Sequence, residues 1–236
     1  MQIELLYRPA FSMGIIHLGG GEQVRVEAAS MVTMSQGITL ETQATGGFLK
    51  SISRSVLGGE SFFQNTYTAP SGGGHIGVAP ALTGDLIALE LHDEMLMVQS
   101  GSYLASDMSI TTDTKWGGAK TFFASEGLIM LRVQGTGSLL LSSYGAIHEM
   151  NLSAGETISV DTGHLVAFTQ GIGFQVRKIG GIKSTLFSGE GLVVDLTGPG
   201  RVMMQTRSTD QFLSWLIPKL PQSSSSGSGS GFTVKF

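Results

Sequence analysis

The chain contains no cysteine, which excludes disulfide frameworks, thiolate nucleophiles and Cys-ligated zinc. It also lacks a basic excess. Fourteen Lys and Arg stand against 18 Asp and Glu, a formal charge of −4, so the electrostatic footprint of a general nucleic-acid binder is missing and DNA is not expected as a partner. No apolar run approaches the ~20 residues of a membrane-spanning helix. The opening MQIELLYRPAF lacks the charged segment followed by an apolar one that marks a secretory signal. A cytoplasmic location is the expectation, with peripheral membrane association left open. Five scattered histidines form no H-x-H or H-E-x-x-H pair, so the familiar metal-ligand spacings are absent. Neither a metal nor a cofactor is expected. G-x-S-x-G-like stretches occur only in the Ser/Gly tail, where composition generates them.

What the chain has in excess is glycine, 34 of 236 residues, about twice the usual ~7% and without a collagen period. Many tight turns between short strands follow. Period-2 alternation supports this. Ile87, Leu89 and Leu91 share one face, as do Ile129, Leu131 and Val133, then Ile158 and Val160, then Leu192, Val194 and Leu196. Runs of five to seven residues bounded by Gly, Pro, Asp and Ser are strand signatures. One helix is expected, late in the chain. Ser208 and Gln211 have capping-box spacing, Phe212, Leu213, Trp215 and Leu216 follow at helical spacing, and Pro218 ends it. Its apolar face is expected to dock on a sheet.

Internal repetition organises the rest. VQSGSYLA at 98–105 aligns without a gap on VDTGHLVA at 160–167, an offset of 62. GGAK at 117–120 meets GGIK at 180–183, and FFASEGL at 122–128 meets LFSGEGL at 186–192. Gly135-Thr-Gly137 meets Gly198-Pro-Gly200 at an offset of 63. A diverged third copy runs through VEAASMVT at 26–33 and GGESFF at 58–63. The fold expected is an all-β antiparallel sandwich or prism, with three internal repeats in pseudo-threefold array, a shared core and one short C-terminal helix. Residues 1–220 form a single domain in this reading. Gly101 and Gly163 are expected to supply positive φ at equivalent turns.

Five strings in order resemble one family: RSVLGGESFF at 54–63, GSYLAS at 101–106, SYGA at 143–146, VDTGHLVA at 160–167 and FSGEGL at 187–192. It is the family of the mitochondrial "altered inheritance of mitochondria" protein and its bacterial homologues. The resemblance implies a fold like that of the trp RNA-binding attenuation protein, with β-sandwich units in pseudo-threefold array, often assembled as trimers. It also implies a link, in the mitochondrial relatives, to inner-membrane organisation. It implies no catalytic residues.

Candidate chemistry is sparse. Asp161 and His164 could form a ligand pair, but Gln99 and Ser102 occupy the matching positions, which favours a turn scaffold. His92-Asp93-Glu94 reads as a polar turn between two strands. Glu126 and Glu190 match across copies and each precedes a Gly, so they read as turn residues before an acid–base pair. The glycine runs at 19–21 and 72–74 resemble anion nests but open no helix and carry no P-loop Lys. Lys115-Trp116 and Lys120 with Phe122 and Phe123 are the nearest approach to an RNA platform. RNA binding otherwise rests on fold analogy alone and is not expected. The Met pairs 31/34, 95/97 and 203/204 read as core or inter-subunit filler, with an adaptable partner patch as the sharper alternative.

No enzyme is expected. The functional expectation is a scaffold or protein-interaction module that self-associates as a closed homo-oligomer, a trimer on the family resemblance, and binds a protein partner. The alternative is a small-ligand or RNA-binding module using grooves between repeats. The named partner-binding residues are in the tail. After Pro221, residues 222–231 are nearly all Ser and Gly, a flexible tether. Phe232, Val234 and Phe236 then fall on one face of a strand-like pentapeptide, suited to adding to a sheet edge.

Overall fold

A computed structural model of the chain describes residues 1–43, 64–113, 129–178 and 192–221. It is an all-β protein with a single short α-helix among these residues. The tail residues Phe232, Val234 and Phe236 lie outside the described residues, as do Glu126, Glu190, Lys115, Trp116, Lys120 and the RSVLGGESFF string.

One four-stranded antiparallel sheet is ordered β1 (Gln2–Leu6), β2 (Met13–Leu18), β7 (Gly74–Val78), β4 (Met31–Met34). A three-stranded sheet is ordered β13 (Thr157–Asp161), β16 (Leu192–Thr197), β15 (Gly173–Lys178). Between them runs a ten-stranded sheet. Its path starts with β12 (Ile147–Leu152), β17 (Gly200–Gln205), β14 (Leu165–Thr169), β8 (Leu86–Gln99) and β11 (Met130–Ser142). It continues through β9 (Tyr103–Asp107), β3 (Gln23–Glu27), β6 (Gln64–Thr68) and β5 (Thr39–Gln43), with β10 (Thr111–Asp113) also paired to β11.

The glycine-marked positions resolve into two kinds of feature. At 19–22 and 153–156 the chain makes the same tight turn, with Gly21 at φ 74° and Gly155 at φ 79°. In each, the fourth residue's N–H donates to the first residue's carbonyl (3.1 and 3.0 Å). Its Glu side chain then accepts the first residue's N–H, Gly19 to Glu22 and Ser153 to Glu156, both at 2.8 Å. The glycine run at 19–21, weighed as an anion nest but favoured as a turn, is a turn closed by the chain's own carboxylate. These turns separate β2 from β3 and β12 from β13.

At the matching point of the middle segment there is no turn. His92-Asp93-Glu94 lies inside the continuous strand β8, where the sequence pointed to a turn between two strands. Opposite it, Gly135-Thr-Gly137 lies inside β11 rather than in a hairpin, while Gly198-Pro-Gly200 does separate β16 from β17. The ladder pairs Gly135 with Glu94 and Thr136 with His92, leaving Asp93 as the extra residue of a bulge. Asp93 has φ 59°, and its N–H donates to the Thr136 hydroxyl at 3.0 Å.

The bulge has a consequence for packing. Because side chains alternate across a strand, one extra residue exchanges the two faces. Before it, odd-numbered Leu89 and Leu91 enter one buried cluster; after it, even-numbered Leu96 and Val98 enter the same cluster. On β11 the odd residues Leu131, Val133, Leu139 and Leu141 all face that cluster without a change of parity. A shared core was expected, but the buried apolar residues group into three clusters. The long pair contributes to each: Leu86 and Leu140 to the first, and Met97 and Met130 to the third. Strands of 14 and 13 residues reach past one core into the next.

The helix, α1 (Thr209–Leu216), forms where its spacing places it, but it does not dock as expected. Ser208 is the N-cap residue without a side-chain cap hydrogen bond. Phe212 meets Tyr144 edge-on at 6.1 Å, while Leu213 and Trp215 stay exposed. Lys219 sits 4.7 Å over the Trp215 ring. With eight residues, α1 has one half-covered row and no sheet beneath the other.

The loop between β1 and β2 is tied to the start of β8. Arg8 donates from Nε and Nη2 to both oxygens of the buried Asp85 at 2.7 and 3.0 Å, and Ser12 Oγ donates to Oδ1 at 3.2 Å. Burial alone raises the Asp85 carboxyl; the Arg8 bonds, the Leu86 N–H and Ser12 outweigh it and hold it below the usual carboxylate range. With the folded value depressed, this contribution is present above the unfolded pKa of ~3.9 and is lost as pH falls through the lower folded value. Acid titration of wild type against Asp85→Asn should therefore show the stability gap between them closing only below about pH 4. A gap that persisted at lower pH would contradict the ionic role. At the bulge, Asp93→Gly should be tolerated and Asp93→Val should cost about 1–3 kcal/mol, since a β-branched residue resists positive φ. Urea unfolding of the two variants checks this.

Candidate functional site

A cleft of about 360 Å³ opens where strand ends far apart in sequence meet. One side is formed by the exits of β3 and β8 and the turn after β13, bringing Glu27, Gln99, Gly101, Thr162 and Gly163 to its wall. The exits of β7, β11 and β17 add Pro80, Ser143, Tyr144 and Gln205 to the lining. The N-terminus of α1 closes the rim with Ser208, Thr209 and Asp210.

Two of these corners are the same local structure. After β8, residues Ser100–Ser102 make one 3₁₀ turn, flanked by Gln99 (φ −64°, ψ 134°) and Tyr103 (φ −76°, ψ 128°). After β13, Thr162–His164 do likewise, between Asp161 (φ −60°, ψ 132°) and Leu165 (φ −77°, ψ 128°). The alignment at an offset of 62 is thus a correspondence of geometry here. The corner after β3 is different: it is a plain turn with Ala29 at φ 68°.

Gly101 and Gly163 were expected at positive φ, and neither is there. Inside a 3₁₀ turn the backbone is right-handed, so conformation does not demand glycine. Proximity does at Gly163, where a Cβ would stand 2.5 Å from Ser208 Oγ and 3.2 Å from Asp161 Oδ1. At Gly101 the tightest neighbour, Gln99 Oε1, would be 3.3 Å away and can move.

The residues weighed as chemistry are engaged in the fold. Asp161 Oδ1 accepts the Gly163 N–H at 2.8 Å. His164 Nδ1 donates to the Gln205 carbonyl, also at 2.8 Å. They share a turn but do not converge as a ligand pair. Among the described residues no group of three or more His, Cys, Asp or Glu could hold a metal ion.

The residue that sequence reasoning missed is Gln205. Its Oε1 accepts the Tyr144 N–H at 2.8 Å and its Nε2 donates to the Gly163 carbonyl at 2.9 Å. One side chain thereby joins the exits of β11 and β17 to the turn after β13. A signal was available, since the offset of 63 that pairs Gly137 with Gly200 also pairs Ser142 with Gln205.

A second surface is built from apolar side chains. All four residues of β4 are exposed, including Met31, Val32 and Met34. The other Met pairs, 95/97 and 203/204, are packed in or against the core clusters.

The chain matches, over residues 3–207, the model of the family described as Mitochondrial biogenesis AIM24. An uncharacterized protein of Streptococcus pyogenes serotype M6 is 30% identical over 222 residues, 91% of this chain and 89% of that one. An X-ray crystal structure of a Streptococcus pyogenes protein is similar with a TM-score of 0.76 at 28% identity, covering 93% of this chain and 99% of the other.

Gly163→Ala should destabilise the protein by about 1–3 kcal/mol, as overpacking of a filled site does, and by more than Gly101→Ala. Adding Ser208→Ala to Gly163→Ala should recover part of the loss, a non-additivity expected of residues in contact. Thermal unfolding of the four proteins measures it.

Proposed function

This chain belongs to the Mitochondrial biogenesis AIM24 family, and from that premise we propose that it is a non-enzymatic, self-assembling interaction module. In this reading three related units make up the body. The Glu-capped turns at 19–22 and 153–156 and the paired 3₁₀ turns support it, as does the placement of one long strand where the other segments have two. The body closes into a homotrimer and presents surfaces to a protein partner.

The observation that carries the assembly is the edge of β4. An uncovered edge strand invites pairing with another chain, and proteins blunt such edges with charge or proline. The other described edge strands each carry charge: Glu4 on β1, Glu41 on β5, Asp113 on β10, Glu149 on β12, Asp161 on β13, and Arg177 with Lys178 on β15. β4 reads Met-Val-Thr-Met and has none. Its occupant in this reading is a neighbouring copy of the chain, in a heterologous contact that a threefold axis closes without leaving an open end.

Light scattering after size exclusion should give three times the 24.8 kDa chain mass at micromolar concentration. Val32→Lys, a change at an exposed position, should reduce the mass to that of one chain without altering the far-UV spectrum. A wild-type monomer or dimer would overturn the trimer, and a trimer indifferent to Val32→Lys would remove β4 from the interface.

A further inference from the structure

We propose that the cleft at the strand exits is a binding site for a small, uncharged, hydroxyl-rich ligand of monosaccharide to disaccharide size. The volume of about 360 Å³ lies within the ~300–1,000 Å³ typical of small-molecule sites. The charge of the wall narrows the class. Glu27 and Asp210 line it, and among the described residues no Lys or Arg does. A phosphate or polycarboxylate would enter without a cation to meet it, which argues against nucleotides and phosphorylated metabolites.

Hydrogen-bonding capacity narrows it further. Gln205 makes one hydrogen bond at each end of its amide, and Thr162 Oγ1 donates to the Leu192 carbonyl at 3.3 Å. Two groups are not engaged among the described residues. Gln99 accepts from Ser102 through Oε1 at 3.2 Å, which leaves its NH₂ without a partner. Ser208 is 4% exposed and heads α1, yet its hydroxyl makes no cap bond. Neither atom is among the buried unpartnered ones, which are Gln64 Nε2 and Arg132 Nε among the described residues, so both are open to solvent and can exchange water for a ligand. The first-turn N–H groups of α1 lack intrahelical acceptors, and the Asp210 carboxylate beside them only accepts. The cleft therefore offers both donors and acceptors and, among the described residues, no basic side chain. Hydroxyl groups, which donate and accept at the same atom, answer that pattern; carboxylates, phosphates and ammonium groups answer only half of it. Glycine at 163 leaves room for the Ser208 hydroxyl, which a Cβ there would meet at 2.5 Å.

The test is amide chemical-shift mapping on the uniformly ¹⁵N-labelled full chain, titrated separately with glucose, trehalose, sorbitol, inorganic phosphate and putrescine. A thermal shift would not serve, because excluded sugars and polyols stabilise folded proteins in general. Saturable shifts confined to the neighbourhood of Gly101, Gly163 and Thr209 are expected with a sugar or polyol and not with phosphate or putrescine. Ser208→Ala, which removes a hydroxyl that caps nothing, and Gln99→Ala should each weaken binding, and the pair should weaken it at least tenfold with unchanged far-UV spectra. Three results would overturn the proposal. One is no saturable shift up to roughly 100 mM, a hundredfold above a millimolar Kd. Another is a response to phosphate or putrescine instead, which would assign the cleft to an ion. The third is sugar binding that the double variant leaves intact, which would place the site elsewhere.

Discussion

The antiparallel ladder between β8 and β11 is the constraint on which the rest of this fold depends. Among the described residues it is the only pairing in which each strand by itself feeds all three buried clusters. It succeeds only because Asp93 is inserted in one strand and not the other. Without that residue, the apolar set after position 94 would turn to the wrong face: Leu96 and Val98 would leave the middle cluster, and Met97 would enter it. The cost of a non-glycine residue at positive φ is modest, a few kcal/mol at most. The misplacement of three buried side chains costs more. The polar character of His92-Asp93-Glu94 suits this arrangement, since all three are exposed where the ladder is interrupted.

The same sequence signal reads as two different structures on either side of that ladder. Polar residues with glycine opposite them end a strand at 153–156, yet carry a strand through at 92–94. What distinguishes the cases is what lies beyond. Ile158 and Val160 continue into a separate sheet with β16, whereas Leu96 and Val98 stay in the large sheet beside β14 and β11. That choice is tertiary, and period-2 alternation contains no trace of it. Strand existence and facing were legible at Ile87, Leu89 and Leu91 because alternation is a local property. Strand length and the division of the core into three were not, because they depend on how the chain pairs at long range.

The candidate site was less legible than the fold for a related reason. Its groups come from six strand exits that no short motif joins, so the residues that meet there are far apart in sequence. Gly163 was singled out correctly but for the wrong reason. Repetition marked the position, and glycine at a turn suggested positive φ, whereas the requirement is the approach of Ser208 from 45 residues downstream. Ser208 itself was read as a helix cap from its spacing to Gln211. Capping-box spacing is necessary for the reciprocal bonds and does not secure them; here the Ser208 side chain packs toward the Gly163 wall of the cleft instead.

The β4 edge imposes a geometric condition of its own. Four residues are short, and shortness is itself one way proteins limit edge pairing. A strand of that length rises only about 13 Å, and so short an edge cannot alone bury the roughly 800 Å² per partner of a stable interface. In the proposed trimer, strand pairing at β4 sets register between copies and supplies one part of the area that holds them. The remaining area must come from apolar surface elsewhere, and the described residues offer it at Leu40 on β5, at Tyr7 and Phe11 in the β1–β2 loop, and along Leu213, Trp215, Ile217 and Leu220. Of these, the Tyr7 and Phe11 loop is the one held in place by a buried carboxylate, through Arg8 and Ser12 on Asp85. A clamped loop loses little conformational freedom on association, whereas a mobile one would lose its ordering entropy there. The clamp thus ties down the loop that carries two exposed aromatic residues, which lowers the ordering cost of a contact made there.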